Sequence, residues 1–183
     1  IPNEDCEGAI TLTPGATCSP VSGTSAGVTT DRYDNCDFYK YGVYYKFTAA
    51  GTSQIIRLTR GTIQNVYIDL LQNNCGDIDR IGSCGSPSNA AVVDKAVFGL
   101  TVGTEYLIWI NTEEISEEGT FDICVLNTVP PTNDNCATAT ALTVNAGNVP
   151  QNRTSGTTLF GSESQAGCSG NADDDVWFSF TAT

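Results

Sequence analysis

Apolar residues alternate with polar ones at a period of two along most of the chain. Val43, Tyr45 and Phe47 alternate with Tyr44, Lys46 and Thr48, and Val66, Ile68 and Leu70 with Tyr67, Asp69 and Leu71. Tyr106, Ile108 and Ile110 alternate with Leu107, Trp109 and Asn111, and Phe121, Ile123 and Val125 with Asp122, Cys124 and Leu126. Such alternation puts one set of side chains on each face of a strand. Further strands are predicted near 9–12, 24–29, 54–59, 80–84 and 92–98, between clusters of Gly, Asn, Asp, Ser and Pro. No window carries a helical period, and Glu113–Glu118 reads as a solvated acidic loop. About eight or nine short strands in about 125 residues predict an all-β fold, an antiparallel β-sandwich of jelly-roll type.

A repeat sets the domain organisation. Asn3-Glu4-Asp5-Cys6 returns as Asn133-Asp134-Asn135-Cys136, and Ser22-Gly23-Thr24 as Ser155-Gly156-Thr157. Cys36 answers Cys168, and Val43-Tyr44-Tyr45-Lys46-Phe47-Thr48-Ala49 answers Val176-Trp177-Phe178-Ser179-Phe180-Thr181-Ala182. The chain is therefore expected to hold one complete repeat over 1–127, a proline-rich linker over 128–132, and the N-terminal part of a second repeat over 133–183. Half a sandwich cannot cover its own sheet faces. The second copy is thus expected to be completed by a longer repeat array or by strands from elsewhere.

Composition narrows the chemistry. Eight cysteines and no histidine, with no C-x-x-C pair, argue against zinc and for disulfides in an oxidising compartment. Because the second copy keeps counterparts of Cys6 and Cys36, those two are expected to pair, as are Cys136 and Cys168. Cys75 and Cys84 flank one turn-rich segment and form a local pair, which leaves Cys18 with Cys124. A net charge of −13 without a basic run makes nucleic acid a poor partner, and no apolar stretch is long enough for a membrane-spanning helix.

Catalytic machinery is not apparent. Gly23-Thr24-Ser25-Ala26-Gly27 matches the G-x-S-x-G pattern, but that elbow needs a histidine base and a following helix, and the chain supplies neither. The protein is read as a non-enzyme without catalytic residues. Acidic clusters at Asp31, Asp34 and Asp37, and at Asp173, Asp174 and Asp175, offer hard oxygen ligands and make calcium the one candidate cofactor. The aromatic-rich stretch between residues 33 and 47 makes Tyr33, Tyr39, Tyr41 and Tyr44 candidate platforms for sugar rings, with surface glycans as candidate partners.

These residues also carry a family resemblance. The N-[DE]-x-C-x-x-A-x-x-L opening of each copy, Leu100–Ile110, Gly119–Val125 running into the prolines, and Asp175–Ala182 occur in one ordered series. The series resembles the disulfide-containing jelly-roll repeats of secreted and surface proteins of Bacteroidota, related in pattern to pre-peptidase C-terminal domains. The resemblance implies export to the cell surface, commonly by type IX secretion. It also implies tandem arrays in adhesins or filament-type surface proteins, with neighbouring repeats as partners, or appendages of secreted hydrolases that dock carbohydrate or substrate. The first copy departs from the second at one strand, with Tyr41-Gly42 where the second has Asp174-Asp175.

Overall fold

The structure is a computed structural model that describes residues 1–29, 31–33, 39–72, 75, 80–82, 85–144, 153–162 and 175–182; for Asp31–Tyr33 and Tyr39 it describes the backbone. Two compact units emerge, Ile1–Thr128 and Val129–Thr183.

The first unit is a two-layered β-sandwich. One sheet runs β1 (Ile10–Thr11), β4 (Tyr39–Thr48), β8 (Glu105–Thr112), β6 (Tyr67–Gln72), and β3 (Asp31–Tyr33) continues the β1 side of β4. The other runs β2 (Val21–Thr24), β9 (Thr120–Asn127), β5 (Gln54–Arg60), β7 (Val92–Val97). From β4 to β9 each successive strand changes sheet, which is jelly-roll connectivity. Pairing is antiparallel except between β1 and β4, where Ile10 lies beside Tyr45.

The alternating residues meet between the sheets. Val43, Tyr45, Phe47, Ile108 and Ile110 face Ile56, Leu58, Phe121, Ile123 and Val125, all buried in one cluster. Each such side chain contributes about 1.5–3 kcal/mol through burial. On the outer side of the edge strand β7, Arg57 holds Asp94 in a two-pronged pair at 2.7 Å; being exposed, it contributes little.

Tyr45 makes the core sensitive to alkali. Burial pushes its pKa up to about 12, against a smaller downward pull from the Asn3 side chain. An unfolded tyrosine ionises near 10, so the native state holds this proton more tightly. The resulting stability is complete below pH 10 and is lost as the pH climbs towards 12, about 2–3 kcal/mol in all. Urea unfolding across that window should show the loss in the wild type and a flatter profile in Tyr45→Phe; equal slopes would refute it.

Three elements differ from the sequence expectation. The strand predicted near 24–29 lies earlier, at Val21–Thr24, because Ser25 to Val28 form a turn with Gly27 at φ +92°. The acidic segment contains a 3-10 turn, Ile115–Glu117, closed by reciprocal Glu114 and Glu117 side-chain bonds. The strand predicted at 80–84 is reduced, among the described residues, to a single bridge between Arg80 and Leu71.

The second unit contains β10 (Thr140–Ala141) and β11 (Phe178–Ser179), paired in parallel as β1 and β4 are. Its opening reproduces the first unit bond for bond. Tyr44 N donates to Asn3 O at 2.8 Å and Asn3 Nδ2 to Tyr44 O at 3.0 Å; Trp177 N donates to Asn133 O at 2.8 Å and Asn133 Nδ2 to Trp177 O at 2.9 Å. A 3-10 turn follows each asparagine, Cys6–Gly8 and Cys136–Thr138. Each Asn thus supplies two bonds that latch the chain start to the central strand. The acid after it holds a distant loop: Glu4 accepts from Thr29 N and Oγ1, and Asp134 from Ser162 N and Oγ.

Candidate functional site

A cluster of polar and aromatic side chains lies on the outer face of the five-stranded sheet. Alternation along β4, β8 and β6 brings Gly42, Asn111 and Tyr67 into one row and Tyr44, Trp109 and Asp69 into the next. Tyr44 stacks on Trp109 with ring centroids 5.9 Å apart and planes 8° from parallel. The indole leaves no room at position 42. A Cβ there would lie 2.6 Å from Trp109 Nε1 and 2.4 Å from Ile110 O, so only glycine fits.

Charged groups surround this stack. Lys40 Nζ sits 3.7 Å from the centre of the Tyr67 ring, and Tyr67 Oη donates to Glu113 at 2.5 Å. Asp69, fully buried, pairs with Arg80 and accepts from Asn111 Nδ2 at 2.9 Å. Two cations and two carboxylates offset one another in the set.

The N-terminal segment covers part of this face. Cys6 packs with Tyr44, Leu71, Leu107 and Trp109, and is bonded to Cys75 just beyond β6. This corrects two pairings: Cys6 does not pair with Cys36, nor Cys75 with Cys84. The repeat argument assumed that a pair retained in both copies must be bonded. The latch instead lays Cys6 across the sheet towards β6, with a Cα separation of 5.5 Å from Cys75. The other bridge joins Cys18 to Cys124 and ties the segment before β2 to β9. Cys36, Cys84 and Cys168 lie outside the described residues; Cys136 is exposed and, among the described residues, unbridged.

The aromatic residues read as sugar platforms divide. Tyr44 is 2% exposed, so it is not an open platform; it is half of the covered Tyr44–Trp109 stack. Tyr41 is half-buried and packs against the inter-sheet core, because odd positions of β4 face inward. Tyr33 and Tyr39 are register partners across β3 and β4, with side chains outside the described set. Of the acidic residues considered for calcium, Asp34, Asp37, Asp173 and Asp174 lie outside the described residues, as does the side chain of Asp31, while Asp175 is half-buried. Among the described residues no three acidic or cysteine side chains gather as metal ligands would. Ser25, the serine of the G-x-S-x-G pattern, is fully buried and its hydroxyl accepts from Gly119 N at 3.1 Å. It clasps two loops and is closed to substrate.

Two open clefts lie among the described residues. One, of about 280 Å³, is lined by Ser22, Gly23, Thr59, Arg60, Gly61, Thr120, Phe121 and Asp122, with Ser22 Oγ donating to Asp122 at 2.6 Å. The other, of about 410 Å³, lies in the second unit and is lined by Pro131, Thr132, Asn133, Thr140, Ser155, Gly156 and Thr157. The first mixes hydroxyl groups with Arg60, Asp122 and Phe121; the second combines hydroxyl and amide groups with a larger share of apolar surface. Sequence reading passed over Lys40, Asp69, Arg80, Trp109 and Asn111. The available signal was Leu107 and Trp109, apolar at positions where a half-exposed strand carries polar residues.

The Cys6–Cys75 and Cys18–Cys124 bridges and the jelly-roll core define the first unit as a disulfide-bonded β-sandwich module. Residues 132–183 match the family described as galactose binding domain-like and associated with type IX secretion, so the chain is similar to that family through its second unit. Among solved structures, the pre-peptidase C-terminal domain of collagenase from Bacillus anthracis aligns with 12% identity over 64% of this chain and 95% of that one, at a TM-score of 0.40. No curated protein matches.

Proposed function

We propose that this chain is a non-catalytic extracellular module of a bacterial surface protein, exported by type IX secretion in a member of the Bacteroidota. Its role is structural, within an adhesin or filament built from tandem repeats. The observation that carries this reading is the latch. The same asparagine makes the same two bonds to the same central strand at the start of each unit, as expected of units copied in series. Bridges closing separations of 69 and 106 residues suit a module outside the cell.

A second reading, a carbohydrate-binding or substrate-docking module of a secreted hydrolase, has one observation in its favour. The segment with the galactose-binding-like match also supplies most of the lining of the larger described cleft, including the hydroxyls of Thr132, Thr140, Ser155 and Thr157. One pair of measurements separates the two. On the structural reading, protease treatment of intact cells releases the protein, while galactose and a glycan array give no saturable binding. Saturable sugar binding that disappears in Ser155→Ala with Thr157→Val would overturn it in favour of the second.

A further inference from the structure

The first unit contains the cysteines Cys6, Cys18, Cys36, Cys75, Cys84 and Cys124, and its two bridges take Cys6, Cys75, Cys18 and Cys124. Cys36 and Cys84, which lie outside the described residues, are left over. The described residues beside each of them converge on one side chain, the ring of Tyr67. Lys40, which follows Cys36 in β4, places Nζ 3.7 Å from the centre of that ring. Gly85 follows Cys84 directly, and a Cβ on it would lie 3.8 Å from Tyr67 Cδ1 and 3.6 Å from Asp69 Oδ1. Tyr33 and Tyr39 are register partners across β3 and β4, and Cys36 stands midway between them in sequence.

We infer that Cys36 and Cys84 form a third disulfide of the first unit. Reach permits it. From Lys40 back to Cys36 the backbone spans up to about 14 Å, and consecutive Cα atoms such as those of Cys84 and Gly85 are about 3.8 Å apart. A bridge asks for a Cα separation of about 4.4–6.8 Å. Partners within the unit are otherwise used up, because the other cysteines are bonded to one another. Forming the bond removes two thiol protons and two electrons, which pass to a disulfide oxidant that is reduced to two thiols. The inference rests on the extracellular reading for its oxidising compartment and on nothing else in that reading. Its consequence is mechanical. Among the described residues, the short edge strand β3 pairs only with β4. The bond ties the connection beside it to the β6 side of the same sheet, next to Tyr67 and Asp69.

Trypsin separates the possibilities, because cleavage after Arg32, Lys40, Arg80 and Lys95 leaves Cys36 alone in Tyr33–Lys40 and Cys84 alone in Ile81–Lys95. The full chain, oxidised in a glutathione buffer, is alkylated, digested without reduction and weighed. A species with the summed mass of these two peptides less two hydrogens is expected, and reduction should split it. Cys6 and Cys75 report on oxidation in the same digest by holding Ile1–Arg32 to Gly61–Arg80. If that link is present while Tyr33–Lys40 emerges alkylated, or joined to Ala96–Arg153 or Thr154–Thr183, the inference is overturned and the extracellular reading stands. If neither link forms, the inference falls together with the disulfide-bonded reading of the module. In Cys84→Ser the Tyr33–Lys40 peptide should shift wholly to the alkylated form while the Cys6–Cys75 link persists. A Cys36 that stays bonded in that variant also overturns the inference.

Discussion

Replacing both Cys18 and Cys124 by serine should lower the melting temperature of the first unit by on the order of 15 °C. The bridge spans a sequence separation of 106 residues. Cross-linking a loop of that length removes about 4–5 kcal/mol of chain entropy from the unfolded state. Cys124 is also 2% exposed, so the variant places a serine hydroxyl in a buried site. Losing the Cys6–Cys75 bridge, with a separation of 69, should cost about 4 kcal/mol and release the N-terminal segment from the Tyr44–Trp109 face. Calorimetry of the serine pairs measures both, and indole fluorescence should change only on losing the second. A shift below about 5 °C for Cys18→Ser with Cys124→Ser would contradict the entropic argument.

The second large effect is expected at the buried charge pair. Asp69→Leu should destabilise the first unit by about 3–5 kcal/mol, because it removes the fully buried carboxylate that pairs with Arg80 and accepts from Asn111 Nδ2. Adding Arg80→Leu should recover much of the loss, since a buried ion pair exchanged as a whole for apolar groups is often nearly neutral. Denaturant unfolding of the two single variants and the double variant gives the coupling directly. If the double variant is as unstable as the sum of the singles, the two side chains do not act as a pair.

The aromatic stretch shows where sequence and structure part. Alternation assigned Val43, Tyr45 and Phe47 to one face and Tyr44 to the other, and the structure places them so. Alternation gives sides, however, and carries no information about what covers each side. Tyr44 is buried because a segment about forty residues earlier in the chain crosses over it and is held there by Asn3 and by the Cys6–Cys75 bridge. The bridge itself escaped the repeat argument for the same reason: it depends on where two loops run over a sheet, not on spacing along the chain.

Sequence alone determined the all-β class, the inward-facing residues of the strands, and the recurrence of the opening motif at a distance of 130 residues, from Cys6 to Cys136. Those features are local or periodic, and a period of two is written directly into side-chain order. Tertiary structure alone decided that Asp69, Arg80, Lys40 and Trp109 share a covered outer face and that Ser25 is a clasp. Each of these depends on which distant backbone lies over a given strand. Such long-range burial leaves no periodic trace in the residues that undergo it.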